Sequence, residues 1–180
     1  FIAKYKAEPF LIYTAFTTPH DPRLAPQAFH DLYADKNISL PPNFLPKHPF
    51  DNGELNVRDE QLAPFPRTAD DTIRQIKAYY ATISHLDAQI GRIIQAVKDQ
   101  GLWENTLIVF AGDNGLALGQ HGLFGKQSVY EHSNRVPLIF AGAGVPANKE
   151  VKGYCYLSDI YSTLVNYVGF PVPPTVQGIS

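Results

Sequence analysis

Thr106–Lys126 reads TLIVFAGDNGLALGQHGLFGK. Its first part is an apolar, β-branched run (Leu107, Ile108, Val109, Phe110) that stops abruptly at Gly112-Asp113-Asn114-Gly115. The run predicts a buried strand over Thr106–Ala111, and the glycines let the backbone turn sharply where it ends. Asp113 and Asn114 then stand side by side at the carboxyl end of the strand, the edge at which open α/β sheets bind ligands. A carboxylate beside an amide offers hard oxygen donors, which suit Ca²⁺ or Mg²⁺ better than Zn²⁺. The glycine-rich loop that follows delivers His121 and Lys126, and both can reach an anion held on such a metal. Asp, Asn and Gly together also make ordinary turns and Asx caps, so the metal reading draws its weight from the surrounding residues.

Phe10–Phe16 (FLIYTAF) is a second apolar run and ends at Thr17-Thr18-Pro19-His20. It predicts another buried strand, with His20 just past its end. If the two strands are parallel in one sheet, His20 and Asp113 share an edge. Between them, Ile73, Ile76, Tyr80, Ile83, Leu86, Ile90, Ile93, Ile94 and Val97 recur at helical spacing, which predicts a helix over Ala69–Gln100. Thr68 can cap its start, Asp70 and Asp71 suit its first turn, and Gly101 can supply a left-handed stop. Gly91 inside it costs about 1 kcal/mol relative to Ala, and close packing on the sheet is the expected reason. Strand, long helix, strand is the order of a crossover unit.

Pro22–Pro66 is rich in Pro and polar residues and poor in periodicity, so it is expected to run irregularly over the surface near the site entrance. Val136–Ala141 predicts a further strand, with Pro137 placing it at an edge or a strand start. Asp159–Val168 predicts a short helix capped by Ser158.

At 180 residues the chain can enclose one core. Its 15 basic and 17 acidic residues show no basic clustering, which excludes a nucleic-acid footprint. No stretch approaches the roughly 20 apolar residues of a membrane span. The single cysteine, Cys155, excludes an internal disulfide and a multi-cysteine zinc site. His30, His48, His85 and His132 lack zinc-ligand spacing. A chain that starts at Phe1 and contains no Met is expected to be a processed or partial product.

The segments GDNG, LGQHGLFGK and YEHSNRVPLIFAG, taken in order, resemble the metal- and sulfate-binding region of the type I sulfatases. TTPHDPRLAP and YYATISHLDAQIGRIIQAVKDQGLWENT upstream extend the resemblance, as does YLSDIYSTLVNYVGFPVPPTVQGIS downstream, so it covers nearly the whole chain. It implies an alkaline-phosphatase-like α/β fold, with a mixed, largely parallel sheet flanked by helices. Residues 1–180 would be the later portion of one catalytic domain, with its Pro-rich irregular segment at about 22–66.

The resemblance also implies roles. Asp113 and Asn114 match ligands of Ca²⁺, in preference to Mg²⁺. Lys126 matches a lysine that touches a sulfate oxygen, where a compact ammonium suits a point contact; the alternative is a solvated surface lysine. His20 matches a histidine at the sulfate or the leaving oxygen, where it can donate a proton; the alternative is a turn histidine bonded to nearby backbone. His20 is the first candidate for protonating the leaving group, with Lys126 the second. His121 lines the substrate pocket or caps the loop. Asp21 and Arg23 shape the loop around His20, and Arg135 pairs with Glu131.

The family nucleophile, a formylglycine made in a C/S-x-P/A-x-R motif, has no counterpart here, since Cys155 lies in GYCYLSD. The strand with the paired aspartates that complete the metal shell is also missing. Both are expected in an N-terminal part, which leaves these 180 residues inactive alone. The implied activity of the full-length protein is sulfuric ester hydrolysis, on a sulfated small molecule or a sulfated sugar, in a periplasmic or secreted setting. The alternatives are a phosphodiesterase or phosphonate hydrolase of the same superfamily, and a non-catalytic calcium- or carbohydrate-binding module.

Overall fold

Thr68 starts the longest element as the sequence predicts. In the computed structural model, which describes residues 1–180, its hydroxyl accepts the Asp71 backbone N–H at 3.1 Å and opens a helix over Ala69–Asp99. The helix ends at Gly101, whose φ of 70° is left-handed. Ile2–Tyr5 (α1), Gln27–Ala34 (α2) and this long helix (α3) precede a strand, Leu107–Ala111 (β1). Glu131–Asn134 (α4), the strand Leu138–Gly142 (β2) and Leu157–Tyr167 (α5) follow. Short 3-10 turns occupy Arg58–Leu62 and Trp103–Asn105. Helices with a small sheet make a mixed α/β structure. The chain divides into two units, Phe1–Val145 and Pro146–Ser180.

In the first unit, β1 and β2 pair antiparallel, with Leu107 opposite Gly142 and Ala111 opposite Leu138. Pro137 stands just before β2, where its missing N–H costs no ladder bond, and its carbonyl accepts from Gly112 at 3.2 Å. The expected strand at Phe10–Phe16 does not form: the segment pairs with nothing, and Leu11 is 85% and Tyr13 89% exposed. The sheet therefore has two strands, and the parallel crossover is absent. An apolar run becomes a strand only where a neighbour takes its N–H and C=O groups, and these 180 residues offer Phe10–Phe16 none.

The long helix packs on α2. Tyr33 and Ser84 share a hydrogen bond of 2.7 Å, and Lys77 Nζ donates to the Ala34 carbonyl at 2.6 Å, satisfying an orphan acceptor at the end of α2. A Cβ at Gly91 would meet nothing within 4 Å, so close packing does not explain that glycine. The helix α2 and the turn at Arg58–Leu62 lie inside the segment expected to be irregular. The core joins Ile76 of α3 to Ala63, Leu118 and Phe124, with Ile38, Tyr79 and Leu116 against it.

In the second unit, α5 begins two residues earlier than expected. The Asp159 carboxylate, not Ser158, serves the start, accepting the Tyr156 N–H at 2.8 Å. Ser162 donates to the Gly178 carbonyl at 2.6 Å, and Ile179 N–H reaches Asp159 at 3.0 Å, which folds the chain end back onto the helix.

Candidate active site

The strand β1 delivers Asp113 and Asn114 to its carboxyl end. Both are exposed. Asn114 turns its amide nitrogen to the Gly115 carbonyl at 2.8 Å, and neither its Oδ1 nor the Asp113 carboxylate takes a hydrogen bond from the protein. Gly115 then passes so close to the α4 backbone that a Cβ there would lie 2.0 Å from the His132 carbonyl, which makes glycine obligatory. The following loop closes on itself through Gly119 N–H to Leu123 O (2.8 Å) and Ala117 N–H to Gly125 O (2.9 Å). That closure returns the chain to Lys126, on the same cavity as Asp113.

A cavity of about 240 Å³ opens here. His20, Asp113, Asn114 and Lys126 all line it, together with Asp21, Arg23, Asp59, Tyr79 and Phe124. His121 is not among the lining residues. Its ring stacks on Tyr130 at 4.1 Å, its N–H donates to the Asn43 carbonyl at 2.8 Å, and its own carbonyl accepts from His48 at 2.8 Å. With φ at 54°, His121 holds the tip of the loop against Asn43–His48. Arg135 and Glu131 do approach, at 3.7 Å, but both are exposed and such a pair contributes little.

His20 sits in a charged setting that its sequence neighbours alone do not specify. Its Nδ1 donates to the Asp21 backbone carbonyl at 2.9 Å, with the Asp21 carboxylate at 3.0 Å. Its Nε2 accepts from Arg58 at 3.2 Å. Arg58 also grips Asp59 at 2.6 Å. Burial works to raise the Asp59 carboxyl, but the bond from Arg58, with Gln127 and the charge of Lys126, holds it below the usual carboxylate value. His20, Asp21 and Asp59 could together offer ligands to a metal ion, yet the Arg58 guanidinium already supplies the cation among them. Burial pushes Tyr79 up, and it pushes Arg23 down against the pull of Asp21. Further off, burial and then the charge of His121 push His132 down to about 4.

Four residues that matter to this geometry escape a reading of the sequence: Arg58, Asp59, Glu60 and Arg67. Glu60 is 4% exposed, and its carboxylate accepts the N–H groups of Phe124 (2.9 Å) and Gly125 (2.6 Å) and the guanidinium of Arg67 (2.5 Å). The only signal in the sequence is a compact charged triplet, Arg58-Asp59-Glu60, inside a Pro-rich stretch.

Residues 1–170 match the family described as Sulfatase. A sulfatase of Formosa agariphila is 32% identical over 94% of this chain and 34% of its own length. A choline-sulfatase of Rhizobium meliloti is 32% identical over 96% of this chain and 34% of its own. Among solved structures, a phosphonate monoester hydrolase from Silicibacter pomeroyi superposes with a TM-score of 0.72 at 26% identity, over 90% of this chain and 34% of that one. The fold is of the alkaline-phosphatase-like class. Within that class, the chain belongs to the sulfatase family. It spans about a third of the length of the curated relatives it matches.

Proposed function

We propose that the intact protein containing this chain is a sulfuric ester hydrolase and that residues 1–180 are the later portion of its catalytic domain. The observation that carries the reading is the convergence of His20, Asp113, Asn114 and Lys126 on one cavity, added to membership of the sulfatase family.

Asp113 and the unbonded Oδ1 of Asn114 fit a hard divalent cation as part of a shell of roughly six to eight oxygens. They would hold Ca²⁺, which when bound neutralises and orients the sulfate. Lys126 makes no hydrogen bond or ion pair with the protein through its side chain, so its ammonium is free to meet a sulfate oxygen and stabilise charge on the transferring group. His20 reaches the leaving oxygen through Nε2. That atom accepts from Arg58 in the resting arrangement, so proton donation requires Arg58 to swing away and Nε2 to be protonated. The Arg58 side chain is 68% exposed, which leaves it room to move. His121 fastens the loop that presents Lys126. The nucleophile, a formylglycine, would come from outside these residues, so the 180-residue chain alone would release no sulfate.

The substrate class is a sulfated small molecule or a sulfated sugar, a reading supported by the choline-sulfatase among the relatives. Hydrolysis of phosphonate or phosphate esters is the second reading, favoured by the likeness to the phosphonate monoester hydrolase. A non-catalytic calcium- or carbohydrate-binding module has only the unpartnered Asp113 and Asn114 oxygens in its favour. The deciding experiment assays the intact, metal-loaded protein against an aryl sulfate, a phosphonate monoester and a phosphodiester. Preferential sulfate release supports the first reading, a wide preference for either phosphorus ester overturns it, and no turnover of any supports the binding module.

A further inference from the structure

We propose that the buried Glu60–Arg67 pair is a positioning device for Lys126, a role that rests on the sulfate-contact reading of Lys126. The Glu60 carboxylate is anchored on one side by Arg67, whose side chain is fully buried. The Arg67 guanidinium lies 3.7 Å from the centre of the Phe65 ring and 4.7 Å from that of Phe124, and it also donates to the carbonyls of Gly122 and Ala63. On its other side the carboxylate accepts two successive backbone N–H groups, those of Phe124 and Gly125. Two charge-assisted bonds to consecutive peptides set the direction in which the chain enters Lys126, which one bond or an apolar contact would not do.

The far flank is held from the same turn. The Gln127 amide donates to Asp59 at 3.3 Å, and its Oε1 accepts the Lys126 N–H at 3.0 Å. Gly125 lies between the two holds: a Cβ there would stand 2.7 Å from Glu60 Oε1 and 2.8 Å from Gln127 Oε1. The turn at Arg58–Leu62 thus fixes the backbone of Lys126 through Glu60 and Asp59 while it touches His20 through Arg58. Buried ion pairs are poor sources of net stability, since apolar replacements often do as well. A pair spent on the backbone that leads directly into Lys126 therefore serves geometry.

The test is a double-mutant cycle on the intact, metal-loaded enzyme, reading kcat and KM for an aryl sulfate. Glu60→Gln, which keeps the shape and removes the charge, should lower kcat/KM roughly ten- to a hundredfold, as misplacing a reacting group does. It should add no further loss in a Lys126→Ala background. A purely structural role would lower both backgrounds alike, so additive losses, or no loss from Glu60→Gln, overturn the proposal. If Glu60→Gln does not fold, the exposed Gln127→Ala is judged by the same rule: a loss that vanishes in the Lys126→Ala background supports the device, and an additive loss or none overturns it. Wild-type turnover by Lys126→Ala itself overturns the site reading and this inference together, whereas a fall there with additive losses overturns this inference alone.

Discussion

Phe10–Phe16 and Arg58–Arg67 exchange the places their compositions suggest. The first is nearly all apolar, yet Leu11–Phe16 is exposed throughout. The second carries Arg58, Asp59, Glu60 and Arg67, yet Glu60 and Arg67 are among the most buried residues of the chain, at 4% and 2% exposure. Apolar character creates a demand for burial, but a strand meets that demand only through a neighbouring strand. Charge opposes burial, but an ion pair with its hydrogen bonds complete can be enclosed where a loop must be held. Burial in this protein therefore follows the availability of partners more closely than hydropathy.

That contrast can be broken by unfolding measurements. Glu60→Ala leaves Arg67 buried without its partner and should cost about 3–5 kcal/mol. Leu11→Ala removes an exposed side chain from the 180-residue chain and should cost less than about 0.5 kcal/mol. Equal losses in urea unfolding would erase the distinction between the two regions.

At the site, Lys126→Ala in the intact enzyme should cut turnover of an aryl sulfate by roughly 10²-fold or more. Asp113→Ala should act mainly through metal loss. Titration with excess Ca²⁺ should partly restore Asp113→Ala and leave Lys126→Ala unchanged; restoration of both would remove the difference in role.

A smaller effect concerns pH. The fold holds His132 at about 4 against an ordinary 6.5, so the native state favours the neutral ring. The contribution is then complete above about pH 6.5 and is lost as pH falls toward 4, because the unfolded chain takes up the proton first. The half-exposed ring limits the loss to about 1–2 kcal/mol. His132→Asn should flatten the fall in unfolding midpoint between pH 7 and pH 4.5, and an unchanged slope would refute the assignment. The smallest change is expected from Arg58→Ala, which frees His20 Nε2 at the surface. Stability should move by under about 0.5 kcal/mol, while the pH profile of turnover shifts.

Much was legible because it is local. The stripe from Ile73 to Val97, the Thr68 cap and the stop at Gly101 all act within a turn or two of chain, and α3 forms as they predict. The cores of both strands were legible from Leu107–Phe110 and Leu138–Ala141. Asp113 and Asn114 could be picked out at the end of β1, and Lys126 and His20 by resemblance, since the strand expected before His20 does not form; the four line one cavity. The helix α2 was not read from the sequence, because it lies in the Pro-rich segment expected to be irregular.

The long capped helix, the two strand cores, the glycine loop and family membership can all be read from the linear chain. Each is encoded by residues near one another or by motifs in order along the chain. The folded arrangement was needed to show that β1 pairs antiparallel with β2 and that Phe10–Phe16 pairs with nothing. It alone showed His121 outside the lining of the cavity and Glu60 bound to Phe124, 64 residues away. Those outcomes depend on which distant groups meet and satisfy one another's hydrogen bonds and charges. Neither periodicity nor local spacing carries that information.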